Sequence, residues 1–354
     1  MKKVNKIVFI VVFLIIVIFD CIFIFSKKED YSYLENRYLN KFNISKIEEY
    51  ISDHFPLRNT FLSLKNKIEL TSGKTYINDT YIGKDNYLIS NFKNNSKSHY
   101  IYESINEFSN NKNVYVMLVP DSVLINEDKL YYHLGIDENK EIDNLYANLI
   151  YSTNIDVREA LKKNNVNEEM YYKTDHHWTT FGAYYAYVEF MKAMNEPYLD
   201  KNSFTIEKVS DNFKGTNSSK VLGLNIKDDI YTFNTKSELI VNYVDDNKTT
   251  NSMYNNDYLD KKDKYSYFLD NNHSEIIIQN KSLKNGKKIL VVKNSYANSF
   301  VPFLVNHYEY VYVIDLRYFN ENVTNYLLNN KINETLILYN LNNLYSDMSI
   351  VKLE

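Results

Sequence analysis

The chain has 354 residues, of which only 7 are Gly and 4 are Pro. That is about 3%, where an average protein carries roughly 12%, so collagen-like, linker-like and Pro-rich low-complexity classes are excluded. Hydrophobic residues make up 44% and aromatics 15%, with 34 tyrosines, enough apolar surface to build a core and to exclude wholesale disorder. The formal net charge is −4, and because the first 28 residues hold five Lys and one Asp, the remainder stands at −8. An acidic body argues against nucleic acid as a partner. A single cysteine, Cys21, rules out an intrachain disulfide and a Cys-based zinc cluster.

Lys2, Lys3 and Lys6 precede a 19-residue apolar run from Ile7 to Phe25, broken only by Asp20 and closed by Lys27-Lys28-Glu29-Asp30. At 1.5 Å per residue such a run nearly spans a bilayer core of about 30 Å. The basic flank directs the N-terminus inside, although Lys27 and Lys28 weaken the asymmetry. The run is long for a cleaved signal peptide and no small-residue cleavage site follows, so it reads as an uncleaved signal anchor. Ile18-Phe19-Asp20 also lacks the small residues that lipoprotein processing at Cys21 needs. Residues 1–28 are therefore expected to form a cytoplasmic tip and transmembrane helix. The rest is expected to lie outside the cell membrane as a single-pass protein.

Residues 29–70 are polar and helix-prone and read as a stalk or cap. From residue 71 to 354 the pattern is that of an α/β domain. Four short β-branched or aromatic runs, Val114–Val119, Ile289–Val292, Tyr310–Ile314 and Leu336–Tyr339, predict buried strands. Helices are predicted over 180–194, 297–307 and 319–329, which together imply a parallel sheet flanked by helices on both faces. Between about 200 and 285, Asn/Asp/Lys-rich turns separate short runs such as Glu238–Tyr243 and Glu275–Gln279, the pattern of a β-rich insert.

Chemistry concentrates in Thr174-Asp175-His176-His177-Trp178-Thr179-Thr180, just before a helix that Thr179 or Thr180 could cap. A carboxylate two residues ahead of an imidazole in an extended segment shares its face, so Asp175 can orient His177 as in a hydrolytic triad. A metal reading competes, since Asp and His ligate zinc. Adjacent His176 and His177 diverge in an extended chain, however, and His54, His99, His133, His273 and His307 offer no companion spacing, so no metal is expected. The nucleophile candidate is Ser295, where the strand Ile289–Val292 gives way through Lys293-Asn294 to a helix start. That junction lies at the carboxyl end of a sheet strand, where α/β proteins keep their sites, and helix-start N–H groups can stabilise an oxyanion. The bland alternative is that Ser295 is only a helix cap.

DHHWTTFGAY at 175–184, VVKNSYANSFVPFL at 291–304, ENRYL at 35–39, DHFPLRN at 53–59 and FKGTNSSK at 213–220 together resemble the DHHW protein family of Gram-positive bacteria. That family is similar to the alginate O-acetyltransferase type of SGNH-hydrolase-like proteins. The resemblance spans most of residues 31–310 and implies an SGNH-like α/β fold, with Asp175 and His177 as the D-x-H pair and Ser295 as the nucleophile. Lys293-Asn294 stands where SGNH hydrolases carry Gly-Asp. This puts the oxyanion hole in question and leaves Asn298 and His176 as auxiliary candidates beside the Ser295 N–H. The resemblance further implies a membrane-anchored O-acyltransferase, O-acetyl first, modifying a cell-surface or secreted polysaccharide of the envelope without a bound cofactor. Its acyl group would come from a membrane-bound O-acyltransferase partner. A carbohydrate esterase with the same triad, or a catalytically silent glycan-binding or assembly protein, are the alternative readings.

Overall fold

The computed structural model describes residues 2–24, 30–94, 97–132, 135 and 137–353, with side chains of the first helix described from Lys6 to Ile22. His133 and the Lys27-Lys28 flank lie outside the described residues. Eight strands build the main sheet: β1 (Asn113–Val119), β2 (Thr153–Asn154), β3 (Leu239–Tyr243), β4 (Lys248–Thr250), β5 (Glu275–Asn280), β6 (Lys288–Lys293), β7 (Tyr310–Ile314) and β8 (Glu334–Asn340). Their spatial order is β4-β3-β5-β7-β6-β8-β1-β2. The five strands from β7 to β2 run parallel, while β5, β3 and β4 continue the sheet antiparallel.

The four predicted strands are all present, each within two residues of its expected ends, because each is buried on both faces. Side chains alternate across the pleat. Ile289, Val291, Val313, Leu336 and Leu338 fill one core, and Leu290, Val292, Ile314, Ile337 and Tyr339 fill the other. Helix Thr180–Ala193 covers the first through Tyr184, Tyr187 and Phe190. Helices Ser98–Ser109 and Glu138–Asn148 cover the second through Ile101, Ile105, Ile142 and Leu145. Each such side chain taken out of water contributes about 1.5–3 kcal/mol, so an uninterrupted apolar run is stabilising here where an alternating one would not be.

The segment over 200–285 is β-rich, and Ile276 and Ile278 of β5 register against Val313 and Val311 of β7, so this stretch lends three strands to the main sheet and satisfies the edge of β7. Thr205–Phe213 and Asp228–Asn234 pair apart from it, as do Tyr254 and Phe268 in an isolated bridge. The helix expected over 297–307 is instead a 3₁₀ turn, Ser295–Ser299, followed by a single α-helical turn, Val301–Leu304, with Pro302 near its start.

The segment expected as a stalk or cap contains the small pairing of Tyr31–Ser32 with Arg37–Tyr38 and helices Ile47–Asp53 and Arg58–Thr71. ENRYL and DHFPLRN clasp each other there: buried Asp53 accepts from the Arg37 guanidinium and from the backbone and side-chain nitrogens of Asn40, both at 2.8 Å. Glu35 pairs with Arg58. Burial would raise the Asp53 pKa, but the Arg37 and Asn40 hydrogen bonds outweigh it and bring it down to about 2.

The N-terminal helix runs from Lys2 to Ile24, with Ile7–Phe19 and Ile22 presenting exposed apolar side chains apart from Asp20 and Cys21 between them. Among the described residues no helix is long and apolar enough to cross a membrane.

Candidate active site

Strand β6 ends at Lys293, and Asn294 turns the chain. Its Oδ1 accepts from the Tyr296 N–H at 3.1 Å, and its own N–H donates to the Leu338 carbonyl of β8 at 3.3 Å. Asn294 is thus the cap of the 3₁₀ turn, and Ser295 is its first residue, half-buried at the carboxyl end of a central strand.

Across from it, residues 170–179 fold back on themselves. Thr179 N–H donates to the Met170 carbonyl and Tyr172 N–H to the His177 carbonyl, leaving Asp175-His176-His177 at the tip. Thr179, not Thr180, caps the following helix through Gly182 N–H at 3.2 Å. Trp178, fully buried, clamps this tip to the serine turn: its indole N–H donates to the Tyr296 carbonyl at 2.9 Å and to Ser299 Oγ at 3.0 Å.

Asp175, His177 and Ser295 meet in one line. His177 Nδ1 lies 2.6 Å from Asp175 Oδ1, and His177 Nε2 lies 2.8 Å from Ser295 Oγ. An ionised Asp175 can only accept, so Nδ1 carries the proton and Nε2 presents its lone pair to the serine hydroxyl. Asp175 also accepts the His177 backbone N–H at 3.0 Å and both the N–H and hydroxyl of Thr216, at 2.8 and 3.1 Å. Burial pushes its pKa up, but the two imidazoles and these hydrogen bonds win and hold it far below the usual carboxylate range.

Three contributors escape sequence reasoning. Gly215 has an ordinary φ of −79°, yet a Cβ there would meet Asp175 Cβ at 2.2 Å, so only glycine lets Thr216 reach the carboxylate. Tyr265 stacks flat on His177, centroids 3.7 Å apart and planes 10° apart, and its hydroxyl donates to the Ser295 carbonyl at 3.1 Å. Buried Asp228 accepts the N–H groups of Lys173 and Thr174 and fixes the approach to Asp175. FKGTNSSK drew attention to residues 213–220 without assigning them a task. Tyr265 and Asp228 carry no local signal.

His176 does not face Ser295. Its Nδ1 lies 2.8 Å from Thr216 Oγ1, and because that hydroxyl donates to Asp175, His176 must donate to it. Burial and the neighbouring His177 lower the His176 pKa. Asn298 is tied elsewhere as well: its Oδ1 accepts from the Lys293 ammonium at 2.9 Å, and its amide N–H groups go to the Asn271 carbonyl and Asn272 Oδ1. Lys293 itself is fully buried, bonded to Asn272 and 3.6 Å from Asp315, and burial pushes its pKa down to about 8. The residues standing where Gly-Asp is usual therefore serve as a cap and a buttress. The Ser295 N–H has no hydrogen-bond partner among the described residues and is free to act as an oxyanion donor.

Asp175, His176 and His177 bring potential metal-ligand atoms within 4.8 Å of one another, as do Asp245, Asp246 and His273. In the first trio the protein's own hydrogen bonds already engage those atoms. In the second, His273 Nδ1 faces Asp245 at 3.1 Å and its Nε2 donates to the Asp270 carbonyl, a self-contained charge cluster.

The family profile described as "DHHW protein" matches residues 69–314, leaving ENRYL and DHFPLRN outside the match. Among solved structures, a DHHW family protein from Eubacterium siraeum superposes with a TM-score of 0.67 at 24% identity, covering 78% of this chain and 95% of that one. PatB1 from Bacillus cereus gives 0.64 at 25% identity, over 75% and 97%, and its structure with a sulfonyl adduct gives 0.62 at 23%, over 77% and 99%. No curated protein matches the chain. With the profile covering well over half the sequence, and with Asp175-His176-His177-Trp178 binding its loop to the turn of Ser295, this chain belongs to the DHHW protein family.

Proposed function

We propose that the chain is a membrane-anchored, extracytoplasmic O-acyltransferase, O-acetyl first, that esterifies hydroxyls of a cell-surface or secreted polysaccharide. The observation that carries this reading is the continuous hydrogen-bonded line Asp175–His177–Ser295, 2.6 and 2.8 Å. Ser295 Oγ attacks the acyl carbonyl while its proton passes to His177 Nε2. The donor's C–O bond then breaks and its oxygen leaves with that proton. A sugar hydroxyl next gives its proton to Nε2 and attacks the acyl-serine, and Ser295 leaves reprotonated. Asp175 holds the imidazolium in place, and the Ser295 N–H supports the oxyanion.

The helix Lys2–Ile24, with exposed apolar side chains from Ile7 to Phe19 and at Ile22, supports anchoring. An outward-facing site has no cytoplasmic thioester pool, so the acyl group must be delivered across the membrane, and a membrane-bound O-acyltransferase is the partner this reading calls for. Purified protein given a chromogenic acetyl ester, with and without an oligosaccharide, tests the proposal. Ser295→Ala should lose turnover by at least about a thousandfold while remaining folded, and product should shift to the acetylated sugar when acceptor is present. Cleavage indifferent to every acceptor would make the protein an esterase. Absence of turnover above background for wild type as for Ser295→Ala would make it a non-enzymatic binding protein.

A further inference from the structure

Helix Arg58–Thr71 carries its apolar stripe on the outside. Phe61, Leu64 and Ile68 recur at i, i+3 and i+7 and so share one face. That face is open: the three are 52, 50 and 58% exposed, while the residue the helix buries is Asn66. A helix packed on the core would bury such a stripe instead. The apolar surface continues onto the segment before it. Phe55, also exposed, has its ring 6.1 Å from that of Phe61, and the two line a groove of about 600 Å³ with Ser52, Arg58, Leu62 and Lys65. Single exposed apolar residues need no explanation, but a contiguous patch of them marks an interface.

The length of the chain says what covers this patch. The first helix ends at Ile24 and the described chain resumes at Asp30, a connection that extends to about 20 Å at most. Little slack is added after it. The Asp30 carbonyl accepts the Leu39 N–H at 2.8 Å, Asn40 binds Asp53 at the end of helix Ile47–Asp53, and Glu35 pairs with Arg58 at the start of helix Arg58–Thr71. With the first helix in a bilayer, both following helices are tethered beside the surface of that same bilayer, and a protein partner would have to displace lipid already there. Arg58 and Lys65 flank the groove, but Glu48 and Glu49 lie exposed on the preceding helix. Apolar burial, rather than charge, must then hold the face to the membrane.

We propose that Phe55 and the stripe of Phe61, Leu64 and Ile68 rest on the outer leaflet, their side chains among the headgroups and upper acyl chains, as a second attachment beside the N-terminal helix. A helix lying in this interface sinks its apolar face about 5–10 Å. The assignment rests on the anchoring reading and not on the acyl-transfer chemistry. Its consequence is the position of the catalytic body. The Lys262 ammonium donates to the carbonyls of Tyr33 and Leu34, and three residues further on Tyr265 stacks on His177. The docked segment is thereby tied to the loop that lies on the catalytic imidazole, and holds the site near the membrane from which its acyl group must come.

The test uses the full-length protein reconstituted into phosphatidylcholine vesicles. Its single tryptophan, Trp178, is buried, so Leu64→Trp adds one reporter on the stripe, and Leu328→Trp adds one at an exposed control position on helix Val323–Asn330. Both replace exposed side chains, where loss of folding is not at issue. Lipids brominated on their acyl chains quench an indole that touches them. The emission added by Leu64→Trp should fall at least about twofold in brominated vesicles, while that added by Leu328→Trp should not change. Flotation of the vesicles on a density gradient reports on anchoring alone. Protein that floats while Leu64→Trp stays unquenched overturns the docking face, leaves anchoring standing and points to a protein partner for the patch. Equal quenching of the two reporters overturns it as well. Protein that fails to float overturns both claims together.

Discussion

The site is built on crowding around one carboxylate. Asp175 is buried and would resist ionisation, yet four donors converge on it, two from His177 and two from Thr216. Thr216 arrives from 41 positions along the chain and can do so only because Gly215 has no side chain. Gly215→Ala places a methyl group 2.2 Å from Asp175 Cβ, which cannot be relieved without moving the backbone. We expect it to lower thermal stability by about 1–3 kcal/mol and to depress ester turnover more than stability alone explains. Activity and melting temperature equal to wild type would show that the loop yields freely. Asp175 and His177 were legible in the sequence because they are two residues apart, and Ser295 because a strand visibly stops before it. Thr216 and Tyr265 were not, because nothing local distinguishes one threonine or one of 34 tyrosines until the fold brings it to the imidazole.

The elements show where apolar patterning suffices and where it misleads. Runs such as Ile289–Val292 can only be central strands, and they are. The stretch over 200–285 reads as β-rich without naming its partner, because strand pairing is decided by which edge is available, and β7 offers one to β5; the helix read over 297–307 is instead a 3₁₀ turn and one α-helical turn.

The same sheet end holds a strained pair, buried Asp121 and Glu138. Glu138 Oε1 accepts the Asp121 N–H at 2.6 Å, while one oxygen of each carboxyl has no partner among the described residues. Burial pushes Asp121 up to about 6, and burial together with the charge of Asp121 raises Glu138 well above its ordinary value. Carboxyls whose pKa is raised on folding bind protons more tightly in the folded state. Their contribution to stability is therefore greatest near pH 4 and is lost as pH rises through 6 and beyond. Glu138→Gln keeps the acceptor for Asp121 N–H and gives Asp121 a donor. It should raise the melting temperature at pH 8 by a few degrees, at roughly 2–4 °C per kcal/mol for a domain of this class, with the gain shrinking toward pH 4. A loss at pH 8, measured by differential scanning calorimetry, would contradict this account of the pair.

At the scale of the whole molecule, the chain runs from an apolar N-terminal helix through the clasp of Asp53 with Arg37 to an α/β body with Ser295 at the carboxyl end of a central strand. The proposal requires residues beyond the first helix to lie outside the membrane. Protease added to intact, wall-stripped cells should then digest the body, and complete protection behind a sealed membrane would remove both the localisation and the need for a delivered acyl group. The central claim is narrower, that Ser295 carries the acyl group. Full-length protein mixed with a chromogenic acetyl ester, quenched in acid within the first turnovers and analysed by peptide mass spectrometry, tests it most directly. The account predicts an acetyl group on Ser295 that His177→Ala fails to accumulate and that added oligosaccharide discharges. An acetyl group on another residue, or turnover of the ester with Ser295 unmodified throughout, would contradict it.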